Sequence, residues 1–234
     1  PFMALIYVVL GLLVIGIHIH VLPEAIRTIF QGAFAPQAGI GGVIGAMLMG
    51  IRRAAFSNEA GLGSAAIVHS AVRTDRPITQ GFVGMLGPFI DTVVICTITA
   101  LVIVITGAYE GTNDNIEGVQ LTSRAMAQGV SWGPYALALV VVLFAFSTLL
   151  TWSYYGVKAT TFLFGERRSI EMLYKSLFLV FIVVGASSNL SKVVDFTDAM
   201  VFLMSIPNII GLYFLAPELK REVKKYKQHL IYKE

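Results

Sequence analysis

The sequence predicts an all-α protein that crosses a membrane several times, and three observations predict it. Of its 234 residues, 56% are hydrophobic and only 13% charged, with a mean hydropathy of +0.76. A soluble domain carries about 25% charged residues because its surface meets water, so most of this surface does not. The apolar residues also fall in long charge-free runs. Within them, stretches such as Val93-Val94-Ile95 and Val140-Val141-Val142 are apolar on every side and lack the period-two alternation of a β-barrel strand. Disorder, collagen and a disulfide scaffold are excluded: the 22 glycines have no period of three, and the single Cys96 has no internal partner.

A helix rises about 1.5 Å per residue and needs about 20 apolar residues to cross the hydrocarbon core, so the charge-free runs mark the spans. Six are predicted: Pro1 to Pro23, Thr28 to Ile51, Pro77 to Tyr109 interrupted only by Asp91, Ala125 to Val157, Ser176 to Ser191, and Ala199 to Pro217. Residues 1–217 therefore form one transmembrane bundle, and 218–234 form a basic tail. No basic stretch precedes the first run and no small-residue cleavage site follows it, so it reads as a span rather than a signal peptide. The chain begins with Pro1 rather than Met and is expected to be a piece of a longer one.

Cytoplasmic loops hold an excess of Lys and Arg, and six spans place both chain ends on one side. Of the 17 Lys and Arg residues, only Arg27, Arg124 and Lys192 fall opposite the ends. Both ends are therefore expected in the cytoplasm, with the chain in the plasma membrane of a prokaryote. The tail's positive charge suits anionic lipid headgroups, and no nucleic-acid partner is needed to explain the net charge of +3.

Four places carry polar chemistry. Ala35-Pro36-Gln37-Ala38-Gly39-Ile40-Gly41-Gly42 lies inside the second span, where proline and three glycines predict unwound backbone. Unwound backbone at membrane depth lines a cavity or is buried in protein, and in transporters it offers N–H groups to a carboxylate and carbonyls to a cation. It also reads as a proline kink with close-packing glycines. In the fourth span, Ser147, Thr148, Thr151 and Trp152 share a polar, aromatic face at helical spacing. Hydroxyl oxygens suit a small hard cation and an indole forms an apolar wall. The alternative is that the hydroxyls bond their own helix or a neighbouring one. Asp91 is the one carboxylate deep in a span, a candidate for coupling or proton relay, or a structural carboxylate satisfied by hydroxyls. Finally, Phe56-Ser57-Asn58-Glu59-Ala60-Gly61-Leu62-Gly63-Ser64 offers Ser57 or Asn58 as the cap of a helix through Ala65-Ala66-Ile67-Val68, with Glu59 near its positive end. Ser57, Asn58 and Glu59 are candidates for coupling or gating, and an ordinary capped connector is the other reading.

Enzyme signatures are weak or missing. The sequence has no HExxH, GxSxG or P-loop, and His18, His20, His69 and His229 do not pair at metal-ligand spacing. No enzyme activity and no cofactor are expected.

Across these residues the sequence resembles the sodium:alanine symporter family, also called alanine or glycine:cation symporters. The likeness is carried by Ala33-Phe34 and Pro36 with Gly41-Gly42, the Phe56 to Gly61 string with Gly63-Ser64, Gln80-Gly81, Phe89 to Thr92, Cys96, Phe144 to Thr148, Trp152 to Gly156, and Ile206-Pro207-Asn208. The resemblance implies a five-plus-five inverted repeat in which this chain supplies the fifth to tenth helices, the second span being the broken sixth. It implies Gly39, Gly41, Gly42, Thr148 and Trp152 as substrate-binding, Ser147 and Thr148 as sodium ligands, and alanine or glycine as substrate. Thr151 departs from the family, which often has glycine there. The N-terminal half of the transporter is absent from this chain. Two other readings stand beside sodium symport: proton coupling through Asp91, and a structural or cofactor-holding membrane subunit without transport.

Overall fold

The computed structural model describes residues 2–34, 39–110 and 118–231, and among them every regular element is helical. In order these are α1 (Phe2–Ile17), a 3-10 turn (Ile19–Val21), α2 (Leu22–Phe34), α3 (Gly39–Asn58), α4 (Ser64–Ser70) and α5 (Pro77–Pro88). A π-helical segment (Phe89–Ile95) then leads into α6 (Cys96–Thr106), followed by α7 (Val119–Gly129), α8 (Gly133–Phe164), α9 (Arg168–Ala186) and α10 (Leu190–Ile231).

Among the described residues, four helical stretches are long and apolar enough to cross a membrane: Pro77–Thr106, α8, α9 and Leu190–His229. A fifth is added if α1 and the bent helix after it count as one span. The expected first span, 1–23, ends early. His18 donates from Nδ1 to the Val14 carbonyl at 3.1 Å, the chain turns through the 3-10 segment, and the next helix leaves at 75°. Pro23 sits in the first turn of α2, where its missing N–H is not needed, so the bend is compatible with helix on both sides. The last expected span, 199–217, is longer than its charge-free run. Lys192, Asp195 and Asp198 belong to the same helix, and α10 runs through Pro207 and Pro217 into the basic tail. The boundary expected at 217 is therefore not a break in the backbone.

The chain forms two compact units. The first takes Pro1–Ile51 and Ile90–Leu150, the second Arg52–Phe89 and Thr151–Glu234. In the first, α6 packs on α1, α2 and α7, and α1 also packs on α7. The buried faces have helical period: Tyr7, Leu10 and Val14 on α1, and Ile98, Val102 and Ile105 on α6, closed by Ala125, Met126, Leu137 and Val140. One polar pair is built into this core. Thr99 donates to the Ile95 carbonyl at 2.8 Å, so the Tyr7 hydroxyl, 2.5 Å from Thr99 Oγ1, is the donor between them. In the second unit α5 packs on α4 and α10, and α9 on α10. Its buried residues include Leu62, Ser64, Tyr155, Asp198 and Val201.

Helix α7 approaches α1 too closely for a side chain at Gly129, where an added Cβ would lie 2.5 Å from Val14 Cγ1 and 3.2 Å from its Cβ. Because Val14 is fully buried and stiff at χ1, it has no free rotamer to yield. Gly129→Ala should therefore destabilise the protein by about 1–3 kcal/mol, the usual cost of overpacking. Thermal unfolding of the detergent-purified protein checks this, and an unchanged midpoint would mean the two helices adjust freely.

Candidate functional site

The connection between α3 and α4 is the most tightly specified polar locus of the second unit. Glu59 stands at φ 54°, left-handed backbone that a non-glycine residue occupies only when its surroundings hold it there. The bonds that hold it are local. Asn58 Oδ1 accepts the Ala60 N–H at 2.9 Å, the Leu62 N–H reaches the Glu59 carbonyl at 3.3 Å, and Ser64 Oγ donates to Glu59 Oε2 at 2.7 Å. Gly61 and Gly63 follow at φ 83° and 89°, where any side chain would be strained. From α10, Asn208 Nδ2 donates to the Gly61 carbonyl at 2.9 Å, while its Oδ1 occupies the space a Gly63 side chain would need.

Two of the expected roles change here. Ser57 and Asn58 do not cap α4, because α3 continues to Asn58 and the residue before α4 is the left-handed Gly63, with no side-chain cap. Asn58 instead closes the turn that follows α3. The glycines expected in unwound backbone also move. Gly39, Gly41 and Gly42 form the first turn of α3, while 35–38 lie outside the described residues. A helix tolerates glycine best at its end, and its first four N–H groups have no partner within the helix, so donors remain available there.

Trp152 lines a cavity of about 540 Å³ in the second unit with Ser64, Tyr155, Tyr174, Phe178 and Asn208. The Trp152 and Tyr155 rings meet edge to face, 5.8 Å between centroids at 71°. Ser64, whose hydroxyl is bonded to Glu59, is shared by the α3–α4 connection and the cavity. Ser64 and Trp152, far apart in sequence, thus line one cavity. Thr148 lines a different cavity, of about 600 Å³ in the first unit, with Tyr7, Thr122 and Phe144 among its walls. Ser147 lies beside Thr148 on the exposed part of α8. Asp91 is half-buried on the π-helical segment that follows Pro88, whose missing N–H breaks the α-helical ladder.

Residues 1–234 match the family model described as the sodium:alanine symporter family. The chain belongs to that family. It is 40% identical over 97% of its length to the sodium/alanine symporter AgcS of Methanococcus maripaludis, and 38% identical over 98% to a transporter of Haemophilus influenzae. It is 34% identical over 96% of its length to a protein of Bacillus subtilis named as a probable sodium/glutamine symporter, GlnT. Coverage of those three proteins is 50%, 51% and 47%, so the chain spans about half the length of the curated relatives it matches. Family and relatives are transporters, and the apolar helices agree with a multi-pass membrane protein.

One charged cluster of this symporter-family chain escaped the sequence reading. Arg52 Nε lies 2.5 Å from Asp198 Oδ2 without the alignment of a hydrogen bond, Arg53 Nη1 is 3.8 Å from the same oxygen, and Arg52 Nη2 reaches Asp195 at 3.5 Å. Asp198 is 2% exposed. The ion pairs bring Asp195 and Asp198 to Arg52, and the charged start of α10 is part of a packed helix. A hint was present in the sequence: Asp195 and Asp198 are three apart and share one helical face.

Removing a buried partner leaves the remaining charge uncompensated, which costs about 3–5 kcal/mol when both are buried and less when one reaches water. Arg52 is a third exposed and retains Asp195. Asp198→Ala should therefore lower stability toward the bottom of that range, about 3 kcal/mol, and Arg52→Met in the same protein should restore part of it. Denaturant or thermal midpoints of the three variants make the comparison.

Proposed function

We propose that the protein containing this chain couples inward sodium movement to uptake of a small neutral amino acid, alanine or glycine, by alternating access. The match of the family over residues 1–234 carries this reading. The residue types along α8 support it. Trp152 offers a flat apolar wall to a short side chain, and Ser147 and Thr148, one turn earlier, offer the hard oxygens that sodium prefers. Gly39, Gly41 and Gly42 open α3 with N–H groups suited to the substrate carboxylate.

In this proposal the chain supplies six spans, the fifth to tenth of a five-plus-five inverted repeat. The pair α2 and α3 is the broken sixth, and the basic end of α10 lies at the cytoplasmic face against anionic lipid. The N-terminal half of the repeat contributes the other broken helix, so the substrate and sodium shells are completed only in the intact protein. The alternative of proton coupling rests on Asp91, whose place on a π-helical segment is one that functional residues of membrane helices often occupy.

Reconstitution tests both readings. Liposomes holding the intact protein should accumulate labelled alanine under an inward sodium gradient, whereas residues 1–234 by themselves should not. Accumulation driven by a proton gradient without sodium would move the coupling role to Asp91.

Thr148→Val preserves shape and deletes the hydroxyl, so it should raise the sodium concentration for half-maximal uptake by about tenfold, the worth of one lost oxygen contact of about 1.4 kcal/mol. An unchanged sodium dependence would leave Thr148 a packing residue.

A further inference from the structure

We infer that Tyr174 is a specificity-determining residue of the substrate cavity and that Gly156 is the residue that admits it. This rests on the proposed role of Trp152 and adds a second wall to that site. Trp152, Gly156, Tyr174 and Phe178 belong to one unit and line one cavity. A Cβ added at Gly156 would overlap the Tyr174 hydroxyl and the ring carbon that bears it, and would lie 2.8 Å from Cε2. The phenol end of Tyr174 therefore occupies the space that a side chain of residue 156 would fill. Gly156 stands four residues after Trp152 on α8, and Cβ positions so spaced lie about 5–6 Å apart on one helix face. The Tyr174 phenol thus meets α8 one turn from the root of the indole, and the two aromatic groups bound the cavity along that face.

Three observations set this contact apart from ordinary helix packing. Glycine weakens a helix interior, yet glycine stands inside α8 where the ring arrives. The ring is held from its own helix: Phe178, four residues on, stacks on it with centroids 6.0 Å apart and planes at 27°. The Tyr174 hydroxyl makes no hydrogen bond among the described residues, so a polar group is left for a ligand in a cavity with largely apolar walls. A phenylalanine would fill the same notch, and packing alone has no use for the hydroxyl. Toward a substrate the ring sets an apolar limit, and the hydroxyl can donate to a carboxylate or accept from an ammonium.

In the intact protein the readout is the size of the amino acids it accepts, which a purely structural residue would leave unchanged. Tyr174→Ala opens the wall, so the ratio of the inhibition constants of leucine and alanine against labelled alanine uptake should fall at least tenfold, the discrimination of about one methylene-sized misfit. Tyr174→Phe keeps the wall and should hold that ratio within about twofold, while KM for alanine rises about fivefold with the loss of one hydroxyl contact. Gly156→Ala displaces the ring and should move the ratio as well. Adding Tyr174→Ala to it should give the ratio of Tyr174→Ala alone, since the new methyl then meets no ring. Should Tyr174→Ala not fold, Tyr174→Leu, which keeps apolar bulk and still withdraws the phenol end, is read in the same way. Uptake of alanine by the parent protein with a ratio unmoved in the folded variants would overturn the role of Tyr174 alone. Absence of alanine uptake by the parent protein would overturn the proposed function, and this role with it.

Discussion

A polar group placed among apolar helices must find its partner within the protein, since hydrocarbon offers none and each unsatisfied group costs several kcal/mol. Much of this structure follows from that constraint. The backbone satisfies itself by being helical. Hydroxyls turn back onto their own helices: Thr106 donates to the Val102 carbonyl, Thr160 to Gly156, Thr197 to Val193 and Ser188 to Val184, each four residues earlier and 2.7 Å away. For these residues packing is a complete account, and it is the reading that had stood beside a sodium role for the hydroxyls of α8.

What local back-bonding cannot satisfy is joined over long distance in sequence, and those junctions define the tertiary structure. Tyr7 finds Thr99, Arg52 finds Asp198, and Asn208 finds the Gly61 carbonyl. The Arg52 and Asp198 pair shows that such a junction need not be a source of net stability, because two desolvated charges offset much of their own attraction. Its effect is to fix which part of α10 meets the end of α3.

The contrast explains what was legible in the sequence. Composition and charge-free runs depend only on the solvent a segment meets, so the all-helical class and long apolar helices α8 and α9 could be read directly. The bend after α1 and the π-helical segment after Pro88 were not read from the sequence, where 1–23 and 77–109 stood as single spans, because a proline near a helix end does not say how large a departure will be. The extent of α10 was hidden because Lys192, Asp195 and Asp198 resemble a loop until the partners of the two aspartates on α3 are known, and Arg52 is more than 140 positions from either. The candidate site divided in the same way. Trp152, Glu59 and Thr148 were marked as candidates by residue type and family likeness, while Tyr155 and Asn208 stood in the family likeness without a role, because the ring contact of one and the Gly61 bond of the other are made only in the fold.

The string Ser57-Asn58-Glu59-Ala60-Gly61 had two readings, a helix connector and a functional element, and its geometry is that of a connector specified in unusual detail. Left-handed backbone at Glu59 costs about 1–3 kcal/mol, and such a conformation persists only where neighbouring bonds over-determine it. Asn58 supplies one of those bonds, Ser64 another, and Asn208 fixes the glycine two residues on. An ordinary connector between two helices would need no buried carboxylate contact and no strained residue. Here the turn residues hold a carboxylate in one place, on the hydroxyl of Ser64, which lines the cavity that Trp152 lines. Ser64 is the residue that the connector and the cavity share, so the detail of the turn is concentrated where it meets that cavity.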